Sequence, residues 1–182
     1  MSGAVVTVET MDGAGATAAE DAFRLVYAEA FAEPPYGEGE AEVALTFRRF
    51  RTEARRPGFR AALARTASGE PVGMALGRPL DAEILWYGLL PAGAVPLPGT
   101  FALLELAVRA PWRGRGIARR LHDALLAGSG AERCVLTVDR EAAPARAAYR
   151  SWGYRELAEG ERDLAMLLGI RRTDCTPGRP PR

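Results

Sequence analysis

The sequence predicts a mixed α/β domain, an α+β arrangement of about seven strands and four helices around one mixed sheet. Three observations carry that expectation. Stretches of alternating and of helical periodicity follow one another in the order β-α-α-β-β-β-α-β-α-β-β. Strand–helix–strand crossovers, which imply parallel pairs, fall only in the second half. A chain of 182 residues, 48% hydrophobic and 26% charged, has a globular composition with length for one good core but not for two. A single domain over residues 1–170 is expected, followed by R-R-T-D-C-T-P-G-R-P-P-R at 171–182, where the lack of apolar periodicity predicts a disordered tail.

Ala4 to Thr10 is rich in β-branched residues and reads as the first strand, and M-D-G-A-G-A after it as a flexible link. Thr17 with Glu20 has capping-box spacing, so a helix is expected behind it with Phe23, Tyr27, Ala30 and Phe31 on its apolar face. Glu33-Pro34-Pro35-Tyr36-Gly37 ends it, since proline and the residue before proline resist helical geometry. A second helix, Glu40 to Arg55, turns Val43, Phe47, Phe50 and Ala54 inward. Arg48, Arg49, Arg51 and Arg55 then read as a solvated basic face.

Phe59 to Thr66 and Val72 to Leu80, joined by Ser68-Gly69-Glu70-Pro71, form a predicted hairpin. Asp81 to Thr100 mixes prolines and glycines with Leu85, Trp86, Tyr87, Leu89 and Leu90; a long irregular connection carrying aromatics is more often functional than idle. Phe101 to Val108 is an apolar strand interrupted by Glu105. A helix from about Gly116 to Ala127 buries Ile117, Leu121, Ala124 and Leu125 and stops at Gly128. Cys134 to Val138 is a continuous apolar run of the kind buried beside a parallel neighbour. The last helix has Pro144 in its first turn and Gly153 at its end, and Tyr154 to Leu157 and Asp163 to Leu168 close the chain as strand, turn and strand.

Composition excludes several classes. Lysine plus arginine number 24 against 23 acids, so net charge gives no reason for nucleic-acid or membrane binding. The arginine clusters lie on separate elements without interleaved aromatics, which also weighs against nucleic acid. Cys134, Cys175 and the lone His122 have neither disulfide-framework nor metal-site spacing, so no metal is expected and His122 reads as a surface or packing residue. No basic leader precedes an apolar stretch, and no apolar run has membrane-spanning length. A cytoplasmic location is the expectation.

The most informative stretch is Glu105 to Leu125, E-L-A-V-R-A-P-W-R-G-R-G-I-A-R-R-L-H-D-A-L. Between Arg109 and Arg120 it holds five arginines and no acid, with Gly114 and Gly116 exposing backbone amides where a helix begins. Helix N-termini carry unpaired N–H groups and partial positive charge, so phosphates bind there. A P-loop would need a lysine and a hydroxyl after Gly116, and a dinucleotide fingerprint would need glycine where Arg119 stands. Arg113-Gly114-Arg115-Gly116-Ile117-Ala118 instead fits R/Q-x-x-G-x-G/A at every specified position.

That segment resembles the acyl-CoA pyrophosphate loop of the GNAT acetyltransferase superfamily. A second match lies downstream, where Ala145, Tyr149, Gly153 and Tyr154 keep the spacing of the family's N-x-x-A-x-x-x-Y-x-x-x-G-F/Y, with Ala142 standing at the asparagine position. The element order agrees over residues 4–168. The resemblance implies a fold in which the strand ending at Val108 and the strand at Cys134–Val138 splay apart around the pantetheine arm of acetyl-CoA. Leu106, Ala107 and Val108 would line that arm. Arg113, Gly114, Arg115, Gly116, Ile117, Ala118 and Arg119 would hold the pyrophosphate, and Ala142 and Ala145 would flank the cofactor. The acceptor would be a small-molecule or peptide amine, and a homodimer is compatible with the family. Ala142 removes a side-chain contact to the cofactor arm and keeps open an alternative, a non-catalytic acyl-CoA sensor or partner-binding module.

Amine acetylation needs a neutral amine, a polarised thioester and a proton for the leaving thiolate. A lysine-like amine with a reference pKa of roughly 10.4 is protonated at neutral pH, so a base or a water relay must help. Glu105, an acid in an apolar strand, is the candidate, as base, relay or acceptor-binding group, with ion pairing the structural alternative. Strand alternation would put Leu103, Glu105 and Ala107 on one face. Tyr149 is the candidate acid, its phenol protonated at neutral pH, with core packing as its alternative role. A backbone N–H near Ala107 or Val108 would meet the oxyanion. Glu33, Tyr36, Trp86 and Tyr87 would wall the acceptor cleft. Glu33, Glu38, Asp81 and Glu83 would suit a cationic acceptor or remain solvated loop acids.

Overall fold

The computed structural model describes residues 5–170, so the expected tail lies outside the described residues. The chain runs β1 (Val6–Met11), α1 (Gly13–Ala18), α2 (Glu20–Phe31), α3 (Glu40–Glu53), β2 (Arg60–Thr66), β3 (Pro71–Pro79), β4 (Thr100–Val108), α4 (Ile117–Ala127), β5 (Arg133–Asp139), α5 (Ala143–Ser151), β6 (Arg155–Glu159) and β7 (Asp163–Gly169). Short 3₁₀ turns at Tyr87–Leu89 and Ala110–Trp112 lie in the connections on either side of β4. The seven strands make one sheet in the order β1-β2-β3-β4-β5-β7-β6.

Five helices form where four were expected, and the extra one is α1, in the stretch read as a flexible link. Its N-terminus is capped by the Asp12 carboxylate, which accepts from the Gly15 N–H at 2.9 Å. A Cβ on Gly13 would lie 1.7 Å from the Ala54 carbonyl oxygen, so glycine lets α1 press onto the end of α3. The expected Thr17–Glu20 capping box does not form. Thr17 donates back to the Gly13 carbonyl at 2.7 Å, and Glu20 pairs with Arg51 at 2.6 Å across to α3.

Helices α4 and α5 cover one face of the sheet, where Ile117, Leu121, Leu125 and Tyr149 pack with Phe101, Leu103 and Leu136. Helices α1 to α3 cover the other with Phe23, Phe47 and Phe50 against Leu63 and Met74. The long connection before β4 continues this second layer: Leu80, Ile84 and Val95 pack on Ala102, Val135 and Leu167, and Leu104 touches both clusters. Arg78 of β3, only 2% exposed, clamps that connection to α3 by pairing with Glu53 and, at 2.6 Å, with Asp81.

Two irregularities in β4 shape the middle of the sheet. Leu76 of β3 stands opposite Glu105 while its neighbour Gly77 stands opposite Leu103, so Leu104 is an extra residue, a β-bulge. The bulge resets the alternation: Leu103 belongs to the α4 side, whereas Glu105 and Ala107 turn toward α2 and α3, which corrects the expected shared face. The second irregularity is a splay. Strands β4 and β5 run parallel but pair only from Thr100–Ala102 to Arg133–Val135. From Leu103 to Val108, β4 has no strand partner on that side, while β5 stays paired with β7 as far as Asp139.

Candidate functional site

The loop entering α4 is built to leave its amides free. Gly114 and Gly116 have φ of 71° and 75°, the left-handed region that side chains resist, and Gly116 is the N-cap of α4. Backbone N–H groups from Gly114 to Arg119 find no acceptor among the described residues, and a Cβ on either glycine would meet nothing within 4 Å. The two glycines thus leave open space beside the unpaired amides. The arginines around them divide. Arg109 is held by Glu29 and Glu70, both at 2.6 Å, and Arg120 by the Val6 carbonyl at 2.8 Å, so these two tie the fold together. Arg113 donates to the Val108 carbonyl at 2.9 Å and to Glu33 at 2.6 Å. Arg115 lies over the Trp112 ring, 4.9 Å from its centre, and Arg119 over Trp152 at 5.5 Å.

From this loop a groove of about 480 Å³ leads toward the splay. One wall is the end of α2 with Glu33–Tyr36, where a cis peptide joins Pro34 and Pro35; the floor is Leu106–Val108. The other wall is α5, whose Ala142, Ala145 and Ala148 keep it shallow beside Tyr149. Ala142 is the α5 N-cap, so the position expected for asparagine does lie at the groove, but with no side chain to donate.

The groove continues through the splay as a gap of about 100 Å³ lined by Phe31, Tyr36, Glu105, Thr137, Asp139 and Tyr149. Beyond it lies a hollow of about 220 Å³ on the α3 side, which shares Leu104, Glu105 and Thr137 with the gap. Tyr149 and Glu105 therefore stand at the two mouths of one passage. The Arg109 N–H donates to Val72 of β3 at 2.9 Å, so alternation sends the N–H groups of Leu106 and Val108, not that of Ala107, toward the gap.

Electrostatics separates the two ends. Burial pushes the Glu105 carboxyl up to about 8, with Glu38 adding to the rise and Arg49 opposing it. Burial also raises the phenol of Tyr149, reinforced by Tyr36, and that of Tyr36 itself, so both stay protonated at neutral pH. Glu105 thus changes charge near working pH while Tyr149 keeps its proton.

Of the residues expected at an acceptor cleft, Trp86 lines the hollow and Tyr36 the gap. Tyr87 packs against the cluster beneath the long connection, and Glu33 faces the first groove. The loop acids are engaged elsewhere: Glu33 with Arg113, Glu38 with the Tyr27 hydroxyl at 2.8 Å, Asp81 with Arg78 and Glu83 with Arg56. Sequence reasoning missed Thr137 and Arg49, which line the hollow. Arg49 keeps its place on the exposed basic face of α3 and also lines the hollow, one helical turn after Thr46 and on the same side. His122 is a packing residue, 2% exposed and hydrogen-bonded to the Tyr154 hydroxyl at 2.8 Å. Burial pushes the Cys134 thiol up to about 12, which makes it inert as a nucleophile. Among the described residues no cluster of three or more His, Cys, Asp or Glu could hold a metal, and no helix is long and apolar enough to cross a membrane.

Residues 23–154 match a family model described as the acetyltransferase (GNAT) family. No curated protein matches the sequence. Among solved structures, PH1933 from Pyrococcus horikoshii OT3 superposes with a TM-score of 0.67 at 17% identity, covering 92% of this chain and 99% of that one. The PaiA N-acetyltransferase from Thermoplasma acidophilum, in complex with coenzyme A, gives 0.64 at 14% identity over 91% and 99%. The ribosomal-protein-S18-alanine N-acetyltransferase from Escherichia coli gives 0.59 at 17% identity over 96% and 100%. At such identities the likeness speaks for the fold.

Proposed function

The chain belongs to the acetyltransferase (GNAT) family, and from that premise we propose that it is an N-acetyltransferase that takes acetyl-CoA as donor and a primary amine, on a small molecule or a peptide, as acceptor. The observation that carries this reading is the passage through the splayed sheet with Glu105 at one mouth and Tyr149 at the other. The free amides of Gly114 to Arg119 fit a pyrophosphate, and the open space above the glycines fits its close approach. Charge-assisted contacts of about 1.5–3 kcal/mol each would give the loop useful affinity without any one arginine being decisive.

In this reading the acceptor enters the α3-side hollow and loses its proton to Glu105, directly or through a water. The neutral nitrogen attacks the thioester carbonyl, whose developing oxyanion meets the N–H of Leu106 or Val108 at the unpaired edge of β4. The carbon–sulfur bond breaks, Tyr149 gives its proton to the departing thiolate, and the surplus proton on the new amide nitrogen returns through water to restore the phenol. The raised carboxyl and the protonated phenol have the properties these two roles require.

The test is release of free CoA from acetyl-CoA across a panel of primary amines, with product mass confirming N-acetylation. Turnover with at least one amine is expected. Tight acetyl-CoA binding with no amine raising CoA release above background would replace this reading by the acyl-CoA-binding module that Ala142 leaves open.

A further inference from the structure

The α3-side hollow holds two ionisable side chains that have no ion-pair partner among the described residues. One is Glu105 and the other is Arg49; the third charged residue of the lining, Glu53, is committed to the buried Arg78. Around them stand Phe47, Phe50, Met74, Ile84 and Trp86. The loop acids that would have drawn a polycation are neutralised by Arg113, Arg78 and Arg56, or bonded to Tyr27. What remains is a cation, a carboxyl and an apolar wall in one space.

A space of about 220 Å³ is below the roughly 300–1,000 Å³ of drug-sized ligand pockets, so it suits a metabolite of few atoms better than an extended polypeptide. An arginine guanidinium presents a planar fork that matches a carboxylate, and it repels a second ammonium group. We propose that the acceptor is a small amine that also carries a carboxylate and an apolar body, the class of free amino acids with large apolar or aromatic side chains. This inference rests on the acetyltransferase reading above. The amine lies at Glu105, the carboxylate at Arg49, and the side chain against the aromatic wall. In the transfer the ammonium first gives one proton to Glu105; the resulting amine forms the C–N bond while the C–S bond breaks. Tyr149 protonates the thiolate, and the second proton leaves the new amide nitrogen to restore the phenol, so the products are an N-acetylamino acid and CoA.

The test has a binding arm and a turnover arm with the same probes: L-phenylalanine, L-methionine, L-phenylalaninamide and spermidine. Binding is read by calorimetry on the protein saturated with CoA, and turnover by CoA release from acetyl-CoA. The free acids should exceed the amide and spermidine by about 10- to 100-fold in affinity and in kcat/KM, the effect of one charge-assisted contact. Arg49→Gln should bring the acid-over-amide ratio close to one, and Arg49→Lys should restore part of it. Arg49 is an exposed residue of α3, and a thermal melt confirms that the variants fold. Equal or better use of the amide or spermidine overturns the proposal, as does binding of none of the probes, or an Arg49→Gln loss that is the same for acid and amide. Acids that bind but are never acetylated sink the acetyltransferase reading and leave the pocket assignment standing; turnover of spermidine alone does the reverse.

Discussion

The groove at α4 and the hollow at α3 meet at one gap, yet they are made of different material. The groove takes its polar groups chiefly from backbone, in free amides beside two glycines in a left-handed conformation, with a wall of alanines. The hollow is chiefly side chain, drawn from α2, α3, β3, β4, β5 and the connection before β4. A site of backbone groups needs its sequence only to stay out of the way, so it tolerates change at most positions. A site of side chains changes its ligand when one of them is replaced. The difference teaches that donor recognition and acceptor choice are separable in this molecule, and mutation can test that separation.

The largest expected effect is at the junction. Glu105→Gln should lower kcat by about 10²- to 10⁴-fold, the usual contribution of a general base, with acetyl-CoA affinity unchanged in a binding titration. In the native protein the rate should rise with pH up to an inflection near 8, because the carboxylate is the active form, and the variant should lack that inflection. Stability should move the other way. Folding raises this pKa, so between the unfolded value and about 8 the native state holds a proton that the unfolded chain releases, and stability is lost as pH rises through that window. Glu105→Gln should therefore melt several degrees higher than the native protein at pH 8 to 9. An equal or lower melting temperature would mean that the carboxylate is paired in solution rather than left strained for use.

Gly116→Val comes next and tests the groove alone. A Cβ at φ 75° is strained and projects into the space above the free amides, so acetyl-CoA affinity should fall about 10- to 100-fold. Calorimetry showing native affinity would remove the loop from the site. Tyr149→Phe should cost about tenfold in kcat and leave acetyl-CoA affinity nearly unchanged, since the ring still packs against Trp152 and Tyr154 and only the proton donor is gone. A matched loss in binding would make Tyr149 a wall rather than an acid. The smallest effect is at Glu33. Its pair with Arg113 is exposed, so Glu33→Gln should free the guanidinium and tighten acetyl-CoA binding by about two- to threefold, an effect that high salt should erase.

The same contrast explains what could be read from the sequence. The order of strands and the burial of α3 and α4 follow from periodicity, and the groove follows from a loop motif at fixed spacing, because consecutive backbone groups leave a local trace. Helix α1 left only a weak one, the Asp12 cap, which its glycines masked as a flexible link; the distant Ala54 explains why position 13 must be glycine. The bulge at Leu104 was equally hidden, since one extra residue in an apolar strand does not alter its composition. Five arginines without an intervening acid looked like one anion site, but Glu29, Glu70 and Glu33 reach Arg109 and Arg113 from other elements, and only the fold brings them there. Arg49 was read with its basic neighbours, because helical spacing alone cannot say that Trp86 and Glu105 will arrive opposite it.

The splay of β4 from β5 makes a hole through the sheet, and a hole has two sides. On the roles proposed for them, the donor comes to it along α4 and α5 and the acceptor from beneath α3, so neither blocks the other's entrance or must leave before the other arrives. Initial-rate lines at several fixed acceptor concentrations should then intersect rather than run parallel, and each product should be able to depart by its own door.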